Sequence, residues 1–124
     1  SYLHFLEEAQ LIKLLYASGI SLATLQKPEK VYLDNPNLAF SNSNSNSNKG
    51  NLRETYFISQ VSVRHKIAYP KQGDFLVDDV YIFEVGGKNK TNQQIDTVKN
   101  GFVVADDVEF PITKLPLWLF GFLY

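Results

Sequence analysis

An α/β fold is what this sequence predicts, and three observations predict it. Residues 51–61 carry apolar positions at helical spacing. Residues 74–86 read as two strands joined by an acidic turn. Phe102-Val103-Val104-Ala105 is a continuous apolar run between turn residues, the pattern of a strand buried on both faces. With 124 residues the chain is long enough for one domain, or a small domain with an appendage, and for a modest core.

Composition narrows the chemistry. Hydrophobic residues make up 44% and charged residues 20%, the balance of a globular chain rather than a disordered one. Lys+Arg number 12 against Asp+Glu 13, so the net charge of −1 announces no nucleic-acid partner, and any such surface must be a local patch. No cysteine is present, which excludes disulfides, thiolate zinc sites and a cysteine nucleophile. Only His4 and His65 are available as imidazole ligands, so a metal would be held by carboxylates and carbonyls, a donor set that favours Mg²⁺ or Mn²⁺. No apolar run approaches the ~20 residues of a membrane span. The opening Ser1-Tyr2-Leu3-His4 lacks the basic and apolar regions of a signal peptide, which makes the cytoplasm the expected compartment.

Along the chain, the apolar spacing from Tyr2 to Ala17 predicts an amphipathic helix, stopped at Ser18-Gly19. Residues Ile20 to Leu25 and Glu29 to Leu33 read as short strands. Asp34-Asn35-Pro36 reads as the cap and first turn of a short helix through Phe40. Ser41 to Asn48 is Ser-Asn four times over; it contains nothing that can enter a core and reads as a solvated linker, natural low complexity or an engineered bridge. A helix over Asn51–Val61, with Leu52, Tyr56 and Val61 inward and Phe57 and Ile58 beside them, is followed by a short strand at His65–Tyr69 and then by the two strands of the hairpin. Thr91–Lys99 is expected to be a helix capped by Thr91, and the aromatic tail Leu115–Tyr124 a short helix. The expected order after the linker is therefore helix, three strands, helix, strand, helix.

The hairpin Gly73 to Lys90 carries the chemistry. Opposed residues of an antiparallel pair share a constant index sum. A two-residue turn at Asp78-Asp79 alone would set Asp74 against Phe83 and turn Glu84 to the other face. A three-residue loop at 78–80, or a bulge, sets Asp74 against Glu84. One face then carries Asp74, Leu76, Ile82 and Glu84, and the other Phe75, Val77, Tyr81 and Phe83; this is the preferred arrangement. Facing carboxylates repel unless a cation or proton lies between them. A divalent ion so placed would lower the pKa of a bound water and stabilise charge on a transferring phosphate, and a nearby lysine would assist. Acids at strand ends are, for all that, most often simply solvated.

Several of these stretches resemble a known family. Leu52-Arg53-Glu54-Thr55-Tyr56-Phe57, the segment Tyr69 to Val77, the segment Phe83 to Lys90 and the closing Leu115 to Tyr124 are similar to the C-terminal region of bacterial AAA-type ATP-binding proteins, an uncharacterised domain (DUF4143) with a PD-(D/E)XK nuclease-like fold. The resemblance covers nearly the whole chain outside the Ser-Asn repeat. It implies a winged-helix-like segment over 1–40, a linker over 41–50 and a restriction-endonuclease-like unit over 51–124. It further implies the ATPase module of a parent protein as partner, while this chain itself has no Gly-x-x-x-x-Gly-Lys-Ser/Thr nucleotide loop.

In the family pattern the helix acid matches Glu54 and the strand acids match Asp74 and Glu84, with Asp74 and Glu84 as ligands of Mg²⁺. Gln94 or Gln93 would match a glutamine on the following helix. The pattern's lysine, two residues after Glu84, falls on Gly86. Lys88 keeps the strand parity of Glu84 and is the candidate replacement, though four extended residues put it ~13 Å along the strand unless Gly86-Gly87 form a bulge. Lys88, Lys90, Gln94 and Lys71 are the candidate contacts to nucleic acid. Arg64, His65 and Lys66 form a further basic cluster, either a phosphate grip or merely solvated. Glu54 has its own plain reading, an exposed helix acid paired with Arg53 or Lys49. Trp118, Phe120, Phe122 and Tyr124 either pack at home or mark a contact with the ATPase module or a second subunit. The expected function is Mg²⁺-dependent hydrolysis of a nucleic-acid phosphodiester. The alternative is a binding or assembly module that kept the fold and lost catalysis.

Overall fold

A computed structural model describes residues 2–19, 27–40 and 48–123. The expected strand over 20–25 and most of the Ser-Asn repeat lie outside the described residues. The architecture is mixed α/β: helix α1 (Tyr2–Glu8), strands β1 (Ile12–Leu15) and β2 (Lys30–Leu33), and helices α2 (Pro36–Phe40) and α3 (Lys49–Val61). They are followed by β3 (Ile67–Ala68), β4 (Phe75–Val77), β5 (Tyr81–Gly86), β6 (Gly101–Ala105), β7 (Leu115–Pro116) and a closing 3₁₀ helix (Leu117–Phe122).

The continuous helix expected over Tyr2–Ala17 is not formed. The chain leaves α1 through Gln10, which adopts φ 59°, while the Gln10 and Leu11 N–H groups donate to the Glu7 and Leu6 carbonyls at 3.0 and 3.1 Å. This is a Schellman-type stop with a glutamine where glycine is commoner. The Glu7 carboxylate then accepts the Leu14 N–H at 2.9 Å and folds the chain back. Ile12–Leu15 is thereby free to pair antiparallel with Lys30–Leu33, Ile12 opposite Leu33 and Leu15 opposite Lys30.

The second sheet has the order β3-β4-β5-β6-β7, antiparallel through β5 and parallel from β5 onward. Its hairpin closes with the Val80 N–H donating to the Val77 carbonyl at 3.1 Å, and Asp78 and Asp79 adopt φ 53° and 59° as in a type I′ turn. Val80 is left outside the pairing, so Val77 faces Tyr81, Leu76 faces Ile82 and Phe75 faces Phe83. This is the index sum that favours a meeting of Asp74 and Glu84, and Val80 is the extra residue that supplies it.

Phe57 of α3 covers the aromatic face of the hairpin, with ring centroids 4.9 Å from Phe75, 5.2 Å from Phe83 and 4.9 Å from Phe120 of the 3₁₀ helix. Asn48 caps α3 by accepting the Gly50 N–H at 2.9 Å. The buried face of α3 is Thr55, Phe57, Ile58 and Val61, with Leu52 and Tyr56 only partly covered. Leu15 and Tyr32 of the first sheet enter the same cluster as Phe57, Phe75 and Val104, so the two sheets share one core.

The helix expected over Thr91–Lys99 is also absent. Ile95, Val98 and Gly101 donate in turn to the carbonyls of Asn92, Ile95 and Val98, a chain of three-residue turns rather than a helix. The segment is polar apart from Ile95 and Val98, so it has no apolar stripe to hold a helix on the sheet. Ile95 alone is buried, over the face of the sheet that carries Ile82. The tail pairs as β7 before its 3₁₀ turn; Pro116 ends β7 and caps that turn. Among the described residues no helix is long and apolar enough to cross a membrane.

Candidate active site

The acids gather where α3 meets the start of β4 and the end of β5. Asp74 stands one residue before β4. Its N–H donates to the Phe83 carbonyl at 2.9 Å, and its Oδ2 accepts the Val85 N–H at 2.8 Å, so the side chain continues the ladder where the backbone stops. Gly73 makes the approach possible: it adopts φ 83°, and a β-carbon there would lie 2.7 Å from the Ile82 side chain. Glu84 is 1% exposed, the most enclosed charged group in the described chain.

A buried carboxylate needs partners. Lys90 provides the main one, with Nζ 2.6 Å from Glu84 Oε1. Gln94, with its amide nitrogen turned inward, donates to both Glu84 oxygens at 3.1 Å. Lys90 reaches the acid by crossing Gly86, where a β-carbon would sit 2.6 to 2.8 Å from three carbons of the lysine stem. A turn prepares the crossing, the Lys90 N–H donating to the Gly87 carbonyl at 2.9 Å. The lysine that the resembled family's pattern would have at 86 thus has its room taken by the side chain of residue 90.

Lys88 is not the lysine that meets Glu84. It is exposed, its carbonyl accepts Lys114 Nζ at 2.6 Å, and its own ammonium forms no ion pair among the described residues. Lys71 is exposed in the turn before Gly73 and likewise forms no ion pair there. The basic cluster is spent elsewhere: His65 Nδ1 lies 2.6 Å from Asp78 and Lys66 Nζ 3.1 Å from Asp79, at the opposite, turn end of the hairpin.

Glu54 projects from α3 toward the same acids, but its partners are neither Arg53 nor Lys49. Its Oε2 accepts the Tyr32 hydroxyl at 2.7 Å and Lys30 Nζ at 3.4 Å, both from β2. Arg53 instead pairs with Asp106 at 3.3 Å and lies against Gly87. Lys30 and Tyr32 are site residues that sequence spacing did not find. The only hint was their alternation on a strand, more than twenty residues from Glu54.

The electrostatics follow from this crowding. Burial raises the Asp74 pKa above the ordinary carboxylate range, and the nearby Glu84 and Glu54 raise it further, against the Val85 N–H and Lys90, which pull it down. For Lys90, burial works against the ammonium, but the hydrogen bond and charge of Glu84, with Asp74 and Glu54 behind them, outweigh it and lift the pKa. Burial also raises the Tyr32 pKa, assisted by its hydrogen bond to Glu54, so the phenol stays a donor.

As a donor set the pair Asp74 and Glu84 suits Mg²⁺, which takes one or two carboxylates and completes its shell with water and phosphate oxygens. Among the described residues no group of three acid or imidazole side chains is close enough to form a cage by itself. No protein-family model, curated protein or solved structure matches this chain.

Proposed function

We propose that the chain is a nuclease-like module of PD-(D/E)XK type, the C-terminal part of an AAA-type ATP-binding protein, which hydrolyses a nucleic-acid phosphodiester with Mg²⁺. One observation carries the reading. An enclosed strand acid, Glu84, is met 2.6 Å away by an ammonium, Lys90, whose stem fills the space over Gly86, beside a second strand acid and a helix acid. A buried carboxylate accompanied by two more carboxylates is a poor device for stability, because each added charge raises the electrostatic burden. It is a good device for gathering cations, and a bound cation in turn attracts phosphate.

Asp74 and Glu84 would hold the metal, which when bound supplies an acidified water and stabilises charge on the phosphate. The chain's own residues do the rest. Lys90 carries a permanent positive charge at the acids, placed to move from Glu84 to a phosphate oxygen as charge develops there. Gln94 stays hydrogen-bonded to Glu84 while Lys90 moves. Glu54 adds a third carboxylate at the rim, able to orient a water. Lys30 and Lys90 bring cations to two different acids of the site, the arrangement a strand of phosphates would track.

A second reading has its own support. Each of the three acids already has protein partners: Tyr32 and Lys30 for Glu54, the Val85 N–H for Asp74, Lys90 and Gln94 for Glu84. A cluster so self-satisfied suits a module that binds nucleic acid, or another subunit, without cutting. Cleavage of single-stranded, duplex and branched DNA with Mg²⁺ or Mn²⁺ tests the two. The nuclease reading expects cleavage that Asp74→Ala abolishes; cleavage surviving that substitution is a contaminant. Salt-sensitive binding with no cleavage in any metal establishes the second reading.

A further inference from the structure

Glu54 belongs to α3, yet both of its hydrogen-bond partners come from a different sheet. The Tyr32 hydroxyl and Lys30 Nζ converge on one oxygen, Oε2, at 2.7 and 3.4 Å. Among the described residues Oε1 takes no hydrogen bond. Tyr32 is 2% exposed, and its ring packs 5.8 Å from Phe75, the residue next to Asp74. Lys30 Nζ is steadied in turn, 5.7 Å from the centroid of the Tyr69 ring. A glutamate on a helix surface ordinarily samples several rotamers. This one is gripped by one oxygen from a rigid, buried phenol.

We propose that Tyr32 is a positioning residue of the candidate metal site, holding Oε2 of Glu54 so that Oε1 stays available to the water shell of a divalent cation held by Asp74 and Glu84. The proposal rests on the reading of the acids as a metal site. It makes β2 a working part of that site rather than a neighbour. Tyr32 touches neither cation nor substrate; it acts through Glu54, as partners that orient ligating carboxylates do in metal sites generally. Its ring fills the core and its hydroxyl does the orienting, so the two roles separate by the removal of one oxygen.

The test is Mn²⁺ binding, followed by electron paramagnetic resonance, on the full chain in four forms: unsubstituted, Tyr32→Phe, Glu54→Gln and the double variant. Tyr32→Phe keeps the ring against Phe75 and is expected to weaken Mn²⁺ by roughly tenfold or more. In the Glu54→Gln background the same substitution is expected to have no further effect. Should Tyr32→Phe not fold, Glu54→Asp withdraws the carboxylate from the hydroxyl with the core intact, and the same loss is expected. A loss that a merely structural tyrosine would not cause is thereby read directly as affinity, with urea unfolding as the check on the fold. Unchanged Mn²⁺ affinity in Tyr32→Phe, or an equal loss in both backgrounds, overturns the positioning role alone. An unsubstituted chain that binds no Mn²⁺ overturns the metal reading, and the positioning role with it.

Discussion

Lys90 and Gly86 occupy one space: the lysine stem lies where a β-carbon on residue 86 would be, within 2.8 Å of three of its carbons. A substitution at 86 therefore acts on residue 90. Gly86→Ala is expected to lift Lys90 from Glu84 and to lower stability by about 1–3 kcal/mol, the usual consequence of overpacking. If the site cleaves nucleic acid, kcat falls on the order of 10²-fold, as when one charge-stabilising donor is lost. Cleavage kinetics of Gly86→Ala and Lys90→Ala side by side check this, and markedly unequal losses would refute the shared-space account.

The ion pair itself has an asymmetric energetic signature. Lys90→Met leaves Glu84 buried with only Gln94, and is expected to destabilise by about 2–3 kcal/mol, less than a fully enclosed pair because the lysine is 32% exposed. Adding Glu84→Gln removes the orphaned charge, and the double variant should recover most of the loss. Urea denaturation of the unsubstituted chain, Lys90→Met and the double variant gives the comparison.

Asp74 makes a pH prediction of definite sign. Its folded pKa lies above its unfolded value, so the folded state keeps a proton that the unfolded chain has already released. Stability from this group is complete below the unfolded pKa, about 3.9, and declines as pH rises through the folded value. Asp74→Asn, whose amide oxygen can still accept the Val85 N–H, is expected to raise the urea midpoint at pH 7. The gain should shrink toward pH 4. The same variant should lose metal binding, a trade of function against stability.

Phe57 is fully buried and touches Phe75, Phe83 and Phe120 at once. Phe57→Ala is expected to destabilise by about 3–5 kcal/mol, and Phe57→Leu by clearly less. Thermal unfolding followed by circular dichroism reads the difference. Because Phe75 adjoins Asp74, the larger cavity should also loosen the acids.

Legibility in the sequence tracked the range of the deciding interaction. The hairpin, α3 and β6 were readable because their patterns are local and strong: a turn of two aspartates, a helical stripe around Phe57, an unbroken apolar run at 102–105. The register needed for Asp74 and Glu84 was readable too, as a condition on the turn, and Val80 meets it. The stretch Tyr2–Ala17 misled because its apolar spacing suits a helix, while the Gln10 stop and pairing with Lys30–Leu33 decide otherwise. The segment 91–99 misled because Thr91 resembles a cap, but no apolar stripe follows it. The sequence points Lys90 to phosphate rather than to Glu84, since nothing in strand spacing shows that a glycine can lend its space to a residue four positions on. Tyr32 was out of reach altogether, because its link to Glu54 exists only once two sheets have met.

The stretch just after β1 also does something for the second sheet that has no bearing on the acids. Strand β3 is an outer strand, and such strands offer unpaired amides to any passing chain. Here Tyr16 and Ser18 occupy that margin: Tyr69 donates to the Tyr16 carbonyl at 2.7 Å, and Ser18 donates to the Tyr69 carbonyl at 3.0 Å. The N-terminal part of the chain is thus a guard against sticking as well as a partner in the core. Cutting the protein at its Ser-Asn repeat would yield a fragment with an open flank, prone to join its own kind strand to strand.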